Sequence, residues 1–277
     1  MELSFFRLDE GRMDPSDTTF RVRSRHAPSL RESIERNGIR TPIIVESRGD
    51  RFRIVSGWGR WLARPQAAPL PCFVLPTGLS LEALWDVFLH DNDTWNVVEV
   101  ARILRALDQV PGLSEERIVA EKLPLLGMHP SRDLYRRHRD LTLLSPEAQR
   151  FLEEENLPLR RTPLFFRLAP DALDLLLRTT RELHLTLNEL AEVVELLDEI
   201  AQRDGIGAKA VLESALAAGA GKESFRRELR QRRYPELSRY RAIIGEVEKR
   251  LSFSVPVRIR LLGDTAAMVL SLSNVRL

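Results

Sequence analysis

Residues 30–57 read LRESIERNGIRTPIIVESRGDRFRIVSG and predict a short helix followed by two strands. The first part has apolar residues four positions apart, as on one helix face, and it ends at Asn37-Gly38, a typical helix stop. The apolar run Pro42–Val45 and the alternating run Arg51–Val55 are separated by Arg48-Gly49-Asp50. Two such runs joined by a glycine-containing turn predict a β-hairpin.

The sequence that follows continues this mixed pattern and then becomes helical. Trp58–Arg64 predicts a helix closed by a proline, and Pro71–Leu75 predicts a buried strand. Beyond about residue 79, apolar residues recur with a helical period, which predicts a succession of helices up to about residue 250. The first apolar stripe consists of Leu81, Leu84, Trp85, Phe88 and Leu89.

The C-terminal residues change pattern once more. Apolar and polar residues alternate from Val255 to Leu261 and again from Ala266 to Leu272, on either side of Gly263-Asp264. This spacing predicts a second β-hairpin. The sequence therefore predicts an α+β N-terminal domain (residues 1–78), an all-α middle domain (79–204) and a C-terminal module of a short helix and a β-hairpin (205–277).

Composition excludes several classes of protein. The 277 residues carry 42 basic and 40 acidic side chains, a formal charge of +2, so bulk charge does not attract an anionic partner. The single cysteine, Cys72, excludes an intrachain disulfide framework and fits a reducing compartment. No run of about 18 apolar residues occurs and the first residues lack the apolar core of a signal peptide. We therefore expect a cytoplasmic protein with no membrane partner and no metal site.

Residues 114–141 hold the strongest local motif. Ser114 can cap a first helix, Pro124–Pro130 predicts a turn, and Pro130 marks the start of a second helix that is rich in arginine. This layout is that of a helix-turn-helix, whose second helix reads bases in the major groove and contacts phosphates. The candidate DNA-binding residues are Ser131, Arg132, Tyr135, Arg136, Arg137 and Arg139. The alternative is a solvated amphipathic helix, and His129 and His138 are expected at its surface or facing a groove.

Two further features have a functional and a structural interpretation. The arginines between Arg226 and Arg241 could contact phosphates, but the glutamates among them favour a solvated helix face with i,i+4 pairs. Ser56–Arg60 joins a strand to a helix through Gly57 and Gly59, which allows a phosphate to approach or simply relieves crowding. In Asp91–Asn96, helix capping is the default interpretation.

The order of these motifs resembles the ParB partition family. Its N-terminal pattern, L-x-x-S-I-x-x-x-G-hydrophobic-x-P-I-x-V followed by a hairpin and hydrophobic-x-G-E-R-R-x-R-A, is similar to residues 30–63. The later motifs of the family are matched by Leu70–Val74, by Asp91-Asn92 and by Leu143–Pro146. The resemblance is specific in order and spacing over residues 30–146 and loose beyond residue 205.

This resemblance implies a homodimer that binds a short palindromic DNA site in chromosome or plasmid partition, or in related transcription regulation. It also implies CTP with Mg²⁺ as a cofactor, which Gly57, Gly59, Arg60 and Asn92 would hold. The family's glutamate and first arginine are absent from Gly57–Arg60, and Trp95 stands where an arginine is expected. These departures argue against CTP hydrolysis.

Three functions follow from the sequence, of which site-specific DNA binding is the first. The second is a nucleotide-binding enzyme, a CTPase or a ParB-like small-molecule kinase or nuclease, that uses the N-terminal residues Gly57, Arg60 and Asn92. The third is an adaptor that binds another protein through its helices and C-terminal hairpin. A ParA-like ATPase is a further expected partner, although the basic N-terminal arm that would recruit it is not found before Phe5.

Overall fold

The chain forms two compact units, Met1–Phe166 and Arg167–Leu277. The computed structural model describes residues 4–23, 28–64, 69–92, 94–219 and 221–235, together with 239–240, 243, 246, 257–261 and 268–272. The first unit combines a β-sheet with helices, and the second is mainly helical. The predicted α+β class is therefore confirmed, whereas the division into three domains stays a prediction.

A mixed four-stranded sheet of order β1-β4-β2-β3 organises the first unit. Its strands are β1 (Ser4–Leu8), β2 (Ile43–Arg48), β3 (Arg51–Ser56) and β4 (Leu70–Leu75). β2 pairs antiparallel with β3 and parallel with β4, and β1 pairs antiparallel with β4. The predicted hairpin is β2 and β3, and the predicted strand is β4. The edge strand β1 has no counterpart in the sequence prediction, because Phe5-Phe6 interrupts the alternation of apolar and polar residues.

The described residues of the first unit form eight helices, some packed on the sheet and others further along the chain. They are α1 (Pro28–Asn37), α2 (Trp58–Leu62), α3 (Leu81–His90), α4 (Val97–Leu107), α5 (Glu115–Arg117), α6 (Leu123–Leu125), α7 (Arg132–Asp140) and α8 (Pro146–Glu154). A π-helical segment, Ile118–Lys122, joins α5 to α6, and 3₁₀ turns occur at Glu10–Arg12, Leu141–Leu143 and Leu159–Phe166. Asn96 and Glu99 form a capping box at the start of α4, as the capping interpretation predicts.

The core of this unit is built on the apolar residues of β2 and β3. Ile43, Val45, Ile54 and Val55 are completely buried. α2 packs on β2 and α3 packs on β3. Strands covered in this way read as continuous apolar runs, which explains why Pro42–Val45 shows no alternation.

The second unit contains four helices and a hairpin among its described residues. The elements are α9 (Pro170–Glu182), α10 (Leu187–Asp204), α11 (Ala208–Ala217), α12 (Lys222–Arg233), β5 (Val257–Leu261) and β6 (Met268–Leu272). β5 and β6 pair antiparallel, which confirms the C-terminal hairpin, although its predicted turn at Gly263-Asp264 lies outside the described residues. None of the described helices is both long and apolar enough to cross a membrane.

Ion pairs between helices engage the arginines of α12. These pairs are Arg226 with Glu189 and Glu192, Arg230 with Glu192, and Arg233 with Glu199, at 2.6 to 2.7 Å. Arg232 and Glu228 make an i,i+4 pair of the expected kind at 2.8 Å. Arg226, Arg230 and Arg233 instead reach across to α10 and hold the two helices together. Arg241 lies outside the described residues.

Candidate functional site

α7 is the second of two helical segments that a turn separates. The first segment spans residues 115–125, and the Ser114 side chain caps it by accepting a hydrogen bond from the backbone N–H of Arg117 at 3.4 Å. The turn passes through Gly127, whose φ of 73° is a left-handed conformation that glycine adopts without strain. The Ser131 hydroxyl then accepts from the N–H of Leu134 at 3.3 Å and caps α7. The helix therefore begins at Arg132, two residues after the predicted start.

Tyr135 and Asp108 fix α7 against the end of α4. Tyr135 is 1% exposed, and its hydroxyl donates a hydrogen bond to the Asp108 carboxylate. Arg139 pairs with the same carboxylate, with Nε 3.1 Å from Oδ2. Burial and the bond to Asp108 raise the pKa of Tyr135 to about 12. The phenol therefore stays protonated at neutral pH and keeps donating to Asp108.

The structure corrects the prediction for His138 and shows a structural role for Tyr135 and Ser131. His138, predicted at the surface or facing a groove, is buried at 4% exposure, and Tyr135 is buried at 1%. A contact of Tyr135 or Ser131 with DNA stays a prediction. Positions 135 and 138 share the inner face of α7 with Leu134, because residues three and four apart on a helix are neighbours. Ser131 uses its hydroxyl to cap the helix. These three residues shape and anchor α7 in the structure.

Arg132, Arg136 and Arg139 form the outer face of α7, at positions i, i+4 and i+7. Their side chains are 59%, 66% and 50% exposed. Arg137 lies further round the helix and is 39% exposed. At 100° per residue, Asp133 and Asp140 fall between Arg136 and Arg137. The structure therefore brings the four predicted arginines onto exposed parts of one helix and adds two carboxylates to the same surface.

Two glutamates of α5 lie against the arginines of this outer face. Arg132 Nη2 is 3.0 Å from Glu116 Oε1, and Arg136 Nη2 is 3.8 Å from Glu115 Oε1. Exposed pairs of this kind contribute about 0–1 kcal/mol each. The uncharged edge of a base can therefore replace either glutamate at little loss of stability.

Lys122 ties the first helical segment to α3. Its side chain is 3% exposed, and Nζ lies 2.6 Å from Asp86 Oδ1 and 3.0 Å from Glu82 Oε1. Arg117 also pairs with Glu82, at 2.6 Å. A buried amine without a partner would be strongly destabilising, so this cluster holds the segment in one position. Together with the Tyr135–Asp108 bond, it makes a rigid support for the arginines of α7.

The buried imidazole of His138 makes the fold sensitive to acid. Nδ1 lies 2.8 Å from the carbonyl oxygen of Leu134, which can only accept, so Nδ1 carries the proton. Burial lowers the pKa of His138 below its usual value, with a smaller effect from Arg137. As the pH falls below about 6.5, the unfolded chain takes up a proton that the folded chain does not. We expect the free energy of unfolding to fall there by up to about 1.4 kcal/mol per pH unit.

Urea unfolding of the wild type and of His138→Leu between pH 7.5 and 5.5 measures this effect. His138→Leu should lose the dependence of the free energy of unfolding on pH, whatever its absolute stability. His129→Gln, which changes an exposed histidine, should keep this dependence. Equal slopes in the wild type and His138→Leu would contradict the assignment.

A cavity of about 390 Å³ lies in the same unit, apart from the α7 surface. Its lining contains all four residues predicted to hold a nucleotide, namely Gly57, Gly59, Arg60 and Asn92. Its apolar wall consists of the rings of Phe20, Trp58, Phe88 and Trp95. The fold thus joins the strand-to-helix turn after β3 with the residues that follow α3.

The polar part of the cavity centres on Asp91. Its carboxylate accepts from the Ser56 hydroxyl and from Arg60 Nη2, the latter at 3.2 Å. Asn92 Nδ2 lies 3.4 Å from Ser56 Oγ. Gly57 has a φ of 97°, and a Cβ there would lie 2.9 Å from Arg60 Nε. The first glycine of the motif therefore lets Arg60 fold back onto the turn, which agrees with the crowding interpretation.

These described residues fit a nucleoside triphosphate poorly. Two arginines line the described part of the wall, and each is already paired, Arg60 with Asp91 at 3.2 Å and Arg23 with Glu99 at 3.2 Å. Binding a triphosphate requires several charge-assisted bonds, and the Asp91 carboxylate would repel it. The charge of the described lining therefore gives no support to the CTP and Mg²⁺ that the resemblance implies.

We expect no thermal stabilisation by about 1 mM CTP with Mg²⁺. A site with a Kd of about 10 µM would stabilise the fold by about 2.7 kcal/mol at that concentration, which a thermal unfolding scan detects easily. Arg60→Ala is the matched variant and should respond no differently from the wild type. A rise in Tm with CTP that Arg60→Ala abolishes would overturn this conclusion.

Sequence reasoning missed the partners that position the arginines. The contact of Asp108 with Tyr135 spans 27 residues, and no local pattern announces it. Glu115 and Glu116 follow the cap at Ser114, where acidic residues favour the start of a helix, and they also face Arg136 and Arg132 across the turn. The position of two glutamates at the start of the first helix, just before an arginine-rich helix, was the signal in the sequence for this pairing.

Comparisons with known proteins give matches among solved structures. No family model matches the chain, and no curated protein matches it. The chain is similar to the C-terminally truncated chromosome-partitioning protein ParB from Caulobacter crescentus complexed to the centromeric parS site, at 22% identity and a TM-score of 0.36, over 62% of this chain and 90% of that chain. It is also similar to that truncated protein complexed with CTP-gamma-S, at 18% identity and a TM-score of 0.27, over 69% and 98% of the two chains. Both of these structures are of a ParB protein, the family that the sequence motifs resemble.

Proposed function

We propose that this chain is a ParB-like DNA-binding protein that recognises a specific site through a helix-turn-helix formed by residues 114–141. Its role would be chromosome or plasmid partition, or related transcription regulation. The observation that carries the proposal is the outer face of α7, where Arg132, Arg136 and Arg139 are exposed on a helix whose inner face is buried.

The shape and support of α7 favour insertion into DNA. An α-helix with its side chains is about 10–12 Å across and the major groove is about 12 Å wide, so α7 can lie within the groove. Tyr135 and Lys122 anchor the two helical segments from the inside. The arginines therefore reach DNA from a preformed surface, which limits the entropy lost on binding.

A random duplex pool tests this proposal directly. The chain should enrich one sequence family, and the logarithm of its affinity should fall linearly with the logarithm of the salt concentration, as counterions are released. A palindromic consensus would support binding as a dimer. Failure to bind duplex DNA at low salt would reject the proposal.

The remaining expectations depend on this function. We infer a homodimer assembled through the C-terminal module, residues 205–277, and a cytoplasmic, nucleoid-associated location. A ParA-like ATPase stays a predicted partner. Sedimentation equilibrium of the whole chain and of a chain ending at residue 204 tests the dimer, since only the whole chain should associate.

One observation favours a second candidate, a nucleotide-binding protein. The cavity collects Gly57, Gly59, Arg60 and Asn92 in one place, as the sequence motifs predict. Because Arg60 and Arg23 already pair with carboxylates, the cavity gives this proposal less support than α7 gives to DNA binding. The thermal scan with CTP decides between a triphosphate site and a structural cavity.

A further inference from the structure

We infer that the preferred DNA site of this chain places G·C base pairs opposite α7. This inference rests on the proposed function, because it assumes that α7 enters the major groove. It concerns the chemistry of the site and adds a prediction about which bases are read.

The inference starts from the side chains that α7 exposes. The outward-facing residues are Arg132, Asp133, Arg136, Arg137, Arg139 and Asp140. Arginine donates two hydrogen bonds to guanine O6 and N7, and a carboxylate accepts from cytosine N4. Adenine is read by asparagine or glutamine, and the thymine methyl group by an apolar contact. The outward face of α7, all of which the structure describes, offers neither of these.

The position of each side chain along α7 separates base readers from supporting residues. The first residues of a recognition helix contact base edges, which selects Arg132, Asp133 and Arg136. Arg139 lies near the end of the helix and is held by Asp108 at 3.1 Å. Arg139 therefore lies away from the base edges, and the three earlier residues suit base readout.

The α5 glutamates strengthen the assignment of these arginines to guanine. Glu116 lies 3.0 Å from Arg132, and Glu115 lies 3.8 Å from Arg136. A phosphate at either arginine would bring a negative charge beside a carboxylate, whereas the guanine edge offers uncharged acceptors. Repulsion from the glutamates thus disfavours purely electrostatic binding and favours base contacts.

Selection from a random duplex pool, carried out with the wild type and two variants, tests the inference. The wild type should enrich sites with G·C pairs at the positions that the variants alter. Arg136→Ala should relax the preference at one guanine by roughly tenfold, and Asp133→Asn should shift one position from cytosine towards adenine. Arg31→Ala, which removes a 76% exposed, ion-paired arginine of α1, is the matched control and should leave the consensus unchanged.

The outcomes separate the inference from the function on which it rests. A consensus in which the altered positions are A·T pairs would overturn the inference and leave site-specific DNA binding intact. A consensus unchanged in both variants would overturn the assignment of α7 as the reading helix. Absence of any enrichment, with no salt-dependent binding, would reject the proposed function and the inference together.

Discussion

Replacing Arg132 and Arg136 together by alanine is expected to weaken binding to the selected DNA site by on the order of 100-fold. The double variant removes two donors from the outer face of α7 and leaves Glu115 and Glu116 without their partners. These carboxylates then face the DNA and repel its phosphates. Fluorescence anisotropy with a labelled duplex measures the loss, and a titration over salt concentration shows how many phosphate contacts were removed, at about one unit of slope each.

The same measurement on Arg31→Ala/Arg36→Ala is the control for bulk charge. These arginines are 76% and 74% exposed, lie on α1 of the same unit, and make i,i+4 pairs with glutamates. Both double variants remove two positive charges from exposed positions and should change the free energy of unfolding by no more than about 0.5 kcal/mol per site. Equal weakening by the two variants would mean that net charge, and not α7, governs binding.

Tyr135→Ala is expected to lower the free energy of unfolding by about 3–5 kcal/mol. The ring is 1% exposed, so its removal leaves a cavity between α7 and α4, and the hydroxyl no longer donates to Asp108. Since domains are stable by about 5–15 kcal/mol, such a loss is enough to disorder α7 at physiological temperature. Urea unfolding followed by far-UV circular dichroism measures the change.

Tyr135→Phe distinguishes a buried anchor from a DNA contact. It keeps the ring and removes one hydrogen bond, so we expect a loss of about 0.5–1.5 kcal/mol in stability and no change in DNA affinity. Asp108 retains its pair with Arg139 in this variant. Weaker DNA binding by a Tyr135→Phe protein of unchanged stability would restore the role that the sequence suggested for this residue.

Local patterns were sufficient to predict most of the secondary structure near the sheet. The helix ending at Asn37-Gly38, the hairpin of β2 and β3, and the strand β4 depend on neighbouring residues, whose periodicity and turn chemistry are visible in the sequence. β1 could not be predicted in this way. Its strand conformation comes from pairing with β4, more than sixty residues later in the chain.

The candidate sites show the same division between local and long-range information. The sequence identified the four arginines of α7 and the four lining residues Gly57, Gly59, Arg60 and Asn92. It did not place Tyr135 on the inner face of α7, because Tyr135 and Arg136 are both polar and adjacent, and only packing shows which one is buried. It also did not reveal that carboxylates already pair with Arg60 and Arg132.

The sequence by itself determined the α+β class of the first unit, the helical character of the chain after residue 79, and the arginine-rich helix near residue 135. These features depend on residues a few positions apart, whose spacing along one strand or helix decides their shared face. The tertiary structure decided that Tyr135 is an anchor, that Glu115 and Glu116 restrain the arginines, and that Asp91 neutralises Arg60. The anchor, the restraint and the neutralised arginine depend on distances between segments, which are set by burial of the core and not by the local order of residues.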